Sequence, residues 1–355
     1  MANENLTAVL YKKKDLHLEN TVIPEPGKGQ VQVSIQHVGI CGTDLQIYEH
    51  GCFGDLEVKE PLAIGHESAG VVSKLGEGVT SLKVGDKVAL ESVFGCMACS
   101  DCKKGNYNLC EDVKICGTPS TWGSMTRYFV HNAADCYNCD DFCRLPDNVS
   151  TEEGALMEPL TVAIHSCRRA GVCLGSKVLV LGDGPLGVMT VQAAKASGAT
   201  QVGITGKHQY RLNIAKKIGA DFVLNVTSKD PKEVAMIVID AFGGKPEISI
   251  ESTGVQSSIQ AAIFATHNGG NVTISGLREN NVSIPIVNAG FREVDIRGVA
   301  ANAHCYPIAR AMVASGQVNL KPLLTHMFAL EQANEAFKTA ETKECMKVMI
   351  KCSKD

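Results

Sequence analysis

The sequence predicts a two-domain α/β protein in which a mostly β domain precedes a doubly wound parallel sheet. Apolar residues alternate with period two in the first part of the chain, and after Glu158 apolar strands alternate with amphipathic helices. The length of 355 residues also exceeds the size at which one hydrophobic core usually stops growing. We therefore expect one domain over residues 1–157, completed by residues 299–355, and a second over residues 158–298.

Short strand patterns follow one another in the first domain, from Ala8 to about Thr151. The stretch VQVSIQHV places Val31, Val33 and Ile35 on one face of a strand, and GVVSKLG and DKVALES repeat the pattern. Glycines and prolines interrupt these strands at close intervals. The pattern is typical of a barrel-like, mostly β domain.

In the second domain, predicted strands and helices alternate regularly. The strands are KVLVL, QVGIT, DFVLNV, EISIES and NVTISG, and the helices between them include PLGVMTVQAAKASG, QYRLNIAKKIG, a segment near residues 230–242, and SIQAAIFATH. Such alternation gives a parallel sheet covered on both faces. Beyond about residue 300, the segments PIARAMVAS, EQANEAFKTA and KVMIKC are expected to pack back on the first domain.

Composition and charge argue against several classes of function. Lys plus Arg number 34 and Asp plus Glu number 38, so the net charge of −4 gives no reason to expect nucleic acid or an anionic membrane as partner. No apolar run approaches bilayer length and no secretory leader pattern is present. Fifteen cysteines, an odd number, then favour free thiols over a disulfide framework. We expect a cytoplasmic protein that acts on a small molecule.

A glycine-rich turn follows the first strand of the second domain. In VLVLGDGPLG, Gly182, Gly184 and Gly187 have G-x-G-x-x-G spacing between a strand and a helix. The three glycines allow a tight turn, close approach of a pyrophosphate, and close packing of helix on strand. Pro185 and Leu186 open the helix, whose free N–H groups suit phosphates. In this context the motif predicts a dinucleotide site; the alternative is an ordinary turn.

The end of the next strand bears on which dinucleotide binds. An NAD-binding protein places Asp or Glu there to accept hydrogen bonds from the adenine ribose diol. In GITGKHQYR, Gly206 stands at that position and is followed by Lys207, His208 and Arg211. The missing carboxylate and the nearby cations favour NADP(H) over NAD(H). Alternatively, Lys207 and Arg211 are only solvated charges. Asp183, inside the glycine motif, is expected to point away from the pyrophosphate.

Four cysteines in the stretch GCMACSDCKKGNYNLC have the spacing of a structural zinc site. They are Cys96, Cys99, Cys102 and Cys110. Four thiolates fill a tetrahedral coordination sphere, so such a site tethers a loop but cannot activate a substrate. The alternative, four unpaired thiols, is disfavoured by the CxxC repeats.

Ligands for a second, open metal site occur in three separate segments. They are Cys41 in GICGTD, His66 and Glu67 in GHESAG, and Glu158 in MEPL. A sulfur, an imidazole and a carboxylate with water in the remaining position form a catalytic zinc site that polarises an alcohol oxygen. Taken singly, each residue is more ordinary as a core or surface side chain. Together they predict two Zn²⁺ ions per chain.

The glycine spacing around GHESAG resembles the zinc signature of the medium-chain alcohol dehydrogenases. Further segments resemble the sorbitol (polyol) dehydrogenase, or ketose reductase, branch of that family, and the match covers nearly the whole chain. These segments are HVGICGTD, HNAADCY, LPDNVSTEEGALMEPL, HSCRRAGV, REVDIRGV and THMFALEQANEAF.

The resemblance implies a GroES-like catalytic domain, a Rossmann dinucleotide-binding domain and hydride transfer between a carbinol carbon and the nicotinamide. Cys41, His66 and Glu67 match the family's zinc ligands, and Glu158 matches a carboxylate that reaches the metal directly or through water. Thr43 matches the hydroxyl that relays the alcohol proton.

The resemblance also extends to the cofactor and to assembly. Ser275, Gly276 and Leu277 correspond to the stretch that runs beside the nicotinamide. Relatives of this branch are commonly dimers or tetramers, so a homodimer or homotetramer is expected.

Several residues depart from the branch pattern around the substrate. The family's GSDVHYW is GTDLQIY here, so Gln46 and Ile47 replace a His and an aromatic residue, and the positions of an Arg and a Tyr fall within AANAH. With fewer groups to bind sugar hydroxyls, we expect an alcohol or carbonyl substrate less polar than sorbitol. The alternatives are an NADP(H)-dependent sorbitol dehydrogenase and a catalytically silent dinucleotide-binding relative. The expected pocket residues are Ile47, Ile115, Thr118, Trp122, Ala301 and Asn302.

Other cysteines and histidines have no assigned role. Cys136, Cys139 and Cys143 in DCYNCDDFC are either an additional metal loop or, more simply, exposed thiols. His304 either assists proton transfer or is a packing residue, and His165 is expected in the core.

Overall fold

A computed structural model of the chain describes residues 5–119, 121–137 and 148–354. The chain divides into two compact units. The first consists of Met1–Glu158, Tyr306–Ala314 and Leu323–Asp355, and the second of Pro159–Cys305 and Ser315–Pro322. The second unit thus includes residues 299–305 and 315–322, which the sequence analysis assigned to the first domain.

Twenty strands and eleven α-helices are present in the described residues, with four short 3₁₀ turns. The strands are β1 (Asn5–Lys12), β2 (Asp15–Thr21), β3 (Gln30–Gly39), β4 (Cys52–Phe53), β5 (Leu56–Glu57), β6 (Leu62–Ala63), β7 (Glu67–Leu75), β8 (Lys87–Leu90), β9 (Val93–Phe94), β10 (Lys114–Ile115), β11 (Tyr128–Asn132), β12 (Cys136–Tyr137), β13 (Lys177–Leu181), β14 (Gln201–Gly206), β15 (Phe222–Asn225), β16 (Ile248–Glu251), β17 (Asn271–Ile274), β18 (Asp295–Gly298), β19 (Leu324–Ala329) and β20 (Lys347–Lys351). The helices are α1 (Gly42–His50), α2 (Ser100–Lys103), α3 (Thr151–Ala155), α4 (Met157–Ala170), α5 (Pro185–Ala196), α6 (Gln209–Lys217), α7 (Pro231–Phe242), α8 (Gln256–Ala265), α9 (Ile286–Phe291), α10 (Tyr306–Ala314) and α11 (Ala333–Glu341).

The first unit is built around β3. This strand pairs antiparallel with β7, β11 and β20, in a sheet of order β12-β8-β7-β3-β20-β19 with β11 attached to β3. The predicted face of β3 is fully buried, because Val31, Val33 and Ile35 all lie in the core. A second, three-stranded sheet has the order β2-β1-β6. The period-two pattern therefore correctly indicated a mostly β unit.

The end of the chain completes the first unit. Strand β20 lies between β3 and β19, and Phe337 of α11 packs its ring 4.9 Å from that of Tyr48, centroid to centroid. Residues 315–322 belong to the second unit because Asn319 and Gln192 of α5 exchange hydrogen bonds of 2.7 and 3.1 Å. Such a pair joins positions far apart in sequence.

The second unit contains a six-stranded parallel sheet of order β15-β14-β13-β16-β17-β18. This is the order of the dinucleotide-binding doubly wound fold, and it confirms the predicted parallel sheet. Local signals set the helix ends: Asp230 caps α7 by accepting from Lys232 N and Glu233 N, Pro231 starts the helix, and Gly243 ends it in a left-handed conformation.

Within the described ranges, no helix combines the length and apolar character needed to cross a bilayer.

Candidate active site and cofactor site

The Cys41, His66 and Glu67 side chains meet in the first unit, with one ligand atom from each lying within 4.8 Å of the others. Their meeting follows from strand register, since Gly39 of β3 pairs with Glu67 at the start of β7. Cys41 lies just past the end of β3 as the N-cap of α1, and His66 directly precedes β7. We call these three residues the Cys-His-Glu cluster; its members come from two of the segments that the sequence had singled out.

The orientation of His66 is set by Asp44, a fully buried residue of α1. His66 Nδ1 lies 3.3 Å from Asp44 Oδ1, and the Asp44 carboxylate also accepts from Cys41 N at 2.9 Å and Gly65 N at 3.2 Å. Burial alone would lower the pKa of His66, but the charges of Asp44 and Cys41 outweigh it and raise that pKa well above its usual value. Asp44 thus holds both the imidazole and the backbone beside it.

Glu67 is paired with Lys347 of β20 in the interior of the first unit. The Lys347 ammonium lies 2.6 Å from both carboxylate oxygens and donates to the Ile40 carbonyl at 3.2 Å. Burial opposes the charged form, yet Glu67 and Cys41 raise the pKa of Lys347. Sequence reasoning missed this residue, and the only signal was a lysine opening an apolar strand.

Glu158 is buried near the cluster without belonging to it. Its Oε1 accepts from the Ser92 hydroxyl at 3.2 Å. Burial is the main reason that the pKa of Glu158 rises to about 7; His66 opposes the rise and Glu67 adds to it. Thr43 lies in the first turn of α1, partly buried, two residues along the chain from Cys41.

The donor set of the Cys-His-Glu cluster fits a catalytic zinc. Sulfur, nitrogen and oxygen ligands all suit Zn²⁺, and three protein ligands leave one position of a four-coordinate ion for an exchangeable group. A carboxylate oxygen of Asp44 lies 3.3 Å from His66 Nδ1, and metal-ligating histidines usually have such a neighbour. Lys347 compensates the Glu67 charge, so the buried cluster has counter-charges within it.

The four cysteines of residues 96–110, here called the four-cysteine loop, also bring their sulfurs within 4.8 Å of one another. Backbone N–H groups of Cys96, Cys99 and Cys102 point at neighbouring sulfurs over 3.3–3.5 Å. Backbone donors from Ala98 and Cys99 lower the pKa of the Cys96 thiol to about 7. N–H groups directed at sulfur favour thiolates, so this donor set fits a closed, structural zinc.

A buried carboxylate ties the four-cysteine loop to the rest of the first unit. Glu91 accepts hydrogen bonds from the hydroxyls of Tyr107, which lies in the loop, and Tyr137, at 2.5 and 2.6 Å. Burial raises the pKa of Glu91 to about 7 despite these donors. Tyr137 in turn stacks on Tyr306, with ring centroids 4.8 Å apart.

The glycine motif of the second unit forms the turn between β13 and α5. Gly182 has a φ of 116°, and Gly184 caps α5, which begins at Pro185. A Cβ on Gly187 would overlap the Gly182 carbonyl, so the helix can approach the turn only with glycine there. Pro185, Leu186 and Gly187 form the first turn of α5, whose N–H groups suit a pyrophosphate.

The end of β14 differs from the sequence expectation in one respect. Gly206 is the last residue of β14, but the Asp183 carboxylate is directed at it from the glycine motif. Asp183 Oδ2 accepts from the backbone N–H groups of Lys207 and His208 at 2.8 and 2.7 Å. Lys207 is exposed, whereas Arg211 is buried. A carboxylate is therefore present at the strand end after all.

The segment after β17 is held by Glu251. Ser275 N and Gly276 N donate to the Glu251 carbonyl at 2.8 and 3.0 Å, and the Ser275 hydroxyl donates to it at 3.1 Å. Leu277 is exposed. These three residues stand at the carboxyl end of the parallel sheet, the end at which such sheets bind ligands.

The expected substrate-pocket residues have different environments. Ile47 is fully buried in the core of the first unit, so it presents no surface to a ligand, contrary to the sequence expectation. The Thr118 hydroxyl donates to the carbonyl of Ile115, which is partly buried. Trp122 is half exposed and lines a groove of about 310 Å³ together with Thr7 and Tyr128.

Two further pocket residues lie in the second unit. Ala301 has a left-handed φ of 45°. Asn302 is fully buried, and neither its amide nitrogen nor its amide oxygen has a hydrogen-bond partner among the described residues. An orphaned buried amide is costly unless another group binds it.

The remaining cysteines and histidines gain no role. Cys136 is buried rather than exposed, and Cys139 and Cys143 lie outside the described residues. His304 has a left-handed φ of 53°, and His165 is only partly buried, not the core residue that was expected. No disulfide joins any of the cysteines that the structure describes.

Two family models match the chain. The model of the alcohol dehydrogenase GroES-like domain matches residues 27–141, and that of the zinc-binding dehydrogenases matches residues 185–315. Sorbitol dehydrogenase of Bos taurus is 49% identical over 349 residues, which cover 98% of this chain and 96% of that protein.

Solved structures extend the likeness to the whole fold. An Escherichia coli oxidoreductase of unknown specificity, involved in membrane biogenesis, has a TM-score of 0.92 at 30% identity and covers 99% of this chain and all of its own. For 2R,3R-butanediol dehydrogenase of Bacillus subtilis the TM-score is 0.87 at 28% identity, covering 98% of this chain and 99% of that one.

Fold and ligand set together define a zinc-dependent oxidoreductase built from a GroES-like and a Rossmann-like part. The chain belongs to the zinc-containing medium-chain alcohol dehydrogenase family, in its sorbitol dehydrogenase branch. The predicted fold class and the family resemblance are thereby confirmed.

Proposed function

We propose that this protein is a zinc-dependent alcohol dehydrogenase that exchanges a hydride between a nicotinamide dinucleotide and a small alcohol or its carbonyl. The Cys-His-Glu cluster carries the proposal, because three unlike ligands meet there and leave a coordination position free. A silent dinucleotide-binding relative would have no use for an open metal site.

The residues of the chain have distinct parts in this chemistry. Cys41, His66 and Glu67 would hold a zinc ion, which would supply polarisation of the substrate oxygen, and a bound dinucleotide would supply the hydride donor or acceptor. Asp44 holds the His66 ring, and Lys347 holds the Glu67 carboxylate. The side chains that set this geometry are buried, so little reorganisation is needed when charge develops.

Proton transfer is assigned to Thr43. Its hydroxyl stands in the first turn of α1, near Cys41 in sequence, where it accepts the alcohol proton and passes it towards solvent. Glu158, whose pKa is raised to about 7, is buried beside the cluster and serves as a further ligand, either directly or through water.

We propose a substrate less polar than sorbitol. The segment at residues 300–304 reads AANAH where the family has an Arg and a Tyr, so fewer side chains are available to bind sugar hydroxyls. Similarity to a butanediol dehydrogenase supports a short secondary alcohol.

Sorbitol itself is the second candidate. The sorbitol dehydrogenases of Bos taurus and Homo sapiens are 49% and 48% identical to this chain. The sequence expectation of NADP(H) rests on the absent carboxylate at Gly206 and on the cations that follow it.

A matrix of NAD⁺ and NADP⁺ against sorbitol, 2,3-butanediol and simple secondary alcohols tests the proposal, with zinc content measured on the same samples. We expect turnover that is fastest on the less polar alcohols. Comparable or faster turnover of sorbitol would establish the second candidate. Zinc-loaded protein that turns over none of the alcohols would favour the silent relative.

A further inference from the structure

One acidic side chain in the second unit stands in an unusual place. Asp183 is the residue between the first two glycines of the motif, and Gly206 ends the neighbouring parallel strand β14. A Cβ on Gly206 would lie 2.6 Å from Asp183 Cγ. The carboxyl group of Asp183 therefore fills the space that a side chain at position 206 would occupy.

Backbone hydrogen bonds fix the Asp183 carboxylate in that space. Oδ2 accepts from Lys207 N and His208 N, while Oδ1 lies 3.2 Å from His208 Nδ1. The Asp183 side chain is 9% exposed, so only its edge is open. A carboxylate has about four acceptor positions, and these contacts leave at least one for a ligand.

The position of this carboxylate matters because of what lies at a strand end in this fold. The adenine ribose of a dinucleotide binds beyond the second strand of the sheet, where an acidic residue accepts from the 2′-hydroxyl. The same negative charge repels a 2′-phosphate. An acid contributed from the glycine motif serves this purpose as well as one contributed from β14.

Three cationic side chains follow β14, and their surroundings differ. Arg211 is buried, with its guanidinium carbon 6.0 Å from the Tyr210 ring centroid. Lys207 is exposed, and a solvated lysine contributes little against a fixed charge. His208 faces Asp183 through Nδ1.

We infer that Asp183 takes over the role of the missing strand-end acid and makes the protein selective for NAD(H) over NADP(H). This inference rests on the proposed function only in requiring that a nicotinamide dinucleotide binds. It departs from the sequence expectation of NADP(H), which took Gly206 to mean that no carboxylate was present. The specificity determinant is displaced by 23 positions in the chain but not in space.

Binding titrations test the inference without catalysis. The fluorescence of NADH and NADPH gives dissociation constants for the wild type, D183N and the double variant D183G/G206D, in which the Cβ of residue 183 is removed because it would overlap a Cβ at position 206. Competition by 5′-AMP and adenosine 2′,5′-bisphosphate isolates the adenosine half. We expect the wild type to favour NADH by about tenfold or more, the size of one hydrogen bond to a charged group. D183N should lose most of that ratio and D183G/G206D should recover it.

The matched control is D295N, which alters an exposed aspartate at the amino end of β18 and should leave both dissociation constants unchanged. Should D183N not fold, the wild-type preference between the two competitors still decides the matter. Tighter binding of NADPH by the wild type, or an unchanged ratio in D183N, would overturn the inference alone. Failure of the wild type to bind either dinucleotide would instead refute the proposed function.

Discussion

A buried lysine at a metal site has a specific physical consequence. Lys347 and Glu67 are both almost fully buried, and each compensates the charge of the other. Without the ammonium, the carboxylate would be left buried and free to turn. Lys347 therefore acts as a positioning residue that keeps Glu67 available to the Cys-His-Glu cluster.

We expect Lys347→Met to weaken zinc retention at the cluster by about tenfold to a hundredfold, the usual effect of losing a residue that orients a ligand. Competition with a coloured chelator measures this directly. Lys338→Met, which changes an exposed lysine of α11, is the matched control and should retain zinc normally. Normal retention by the Lys347 variant would show that Glu67 needs no such partner.

At the residue scale, sequence reasoning proposed the ligands but not the residues that contact them. Cys41, His66 and Glu67 could be recognised because their side chains are of the types that bind zinc. They also stand in a recurring sequence pattern. Lys347 and Asp44 were not recognised, since their roles depend on strand pairing and a helix turn that bring distant positions into contact. Asp183 was noticed, but its target at Gly206 was visible only in three dimensions.

At the scale of the elements, Glu91 connects the four-cysteine loop to the rest of the first unit, and this connection depends on pH. The folded-state pKa of Glu91 is about 7, raised by burial above its ordinary value. The folded state therefore holds this proton more tightly than the unfolded chain does. Its contribution to stability is complete below the unfolded pKa and is lost as pH rises through about 7.

Glu91→Gln removes this titration. As the pH rises from about 5 to about 8, we expect the melting temperature of the wild type to decrease relative to that of the variant. Thermal unfolding followed by circular dichroism at matched ionic strength measures the difference. Parallel melting curves across this range would show that Glu91 does not titrate in the folded protein.

The sequence predicted most elements of the second unit because their signals are local. Helix α7, for example, has its Asp cap, its first-turn Pro and its terminal Gly in the sequence itself. Six strands have only two residues each and carry no pattern long enough to be recognised: β4, β5, β6, β9, β10 and β12. Their pairing depends on neighbours that only the folded chain supplies.

At the scale of the whole molecule, the chain is expected to assemble with copies of itself. Helix α9 exposes Ile286, Val287 and Phe291, the last with 89% of its surface accessible in the single chain. We expect a homodimer or homotetramer in which a second copy covers this apolar face. Light scattering after size exclusion should give the mass of two or four chains.

Phe291→Glu should shift that mass towards the monomer, since burying a carboxylate in an apolar contact is unfavourable. Leu174→Glu changes a side chain that is 87% exposed elsewhere in the same unit and should leave the assembly intact. If the wild type is monomeric, the expected contact does not exist. If Phe291→Glu leaves the mass of the assembly unchanged, the contact lies elsewhere.

The change of rhythm after Glu158 correctly indicated two kinds of architecture, because periodicity follows directly from burial on one face. The assignment of residues 299–305 and 315–322 to the second unit escaped sequence analysis. The hydrogen bonds between Asn319 and Gln192 link segments more than a hundred residues apart, and no local sequence pattern predicts them.

Metal content of a cysteine variant tests the central claim most directly. The account predicts about two zinc ions per chain in the wild type, and about one in Cys41→Ser, together with loss of dinucleotide-linked alcohol turnover. Cys173→Ser, which alters an exposed cysteine outside both clusters, should keep both metals and full activity. A Cys41→Ser protein that retains both zinc ions and turns over alcohol normally would contradict the account.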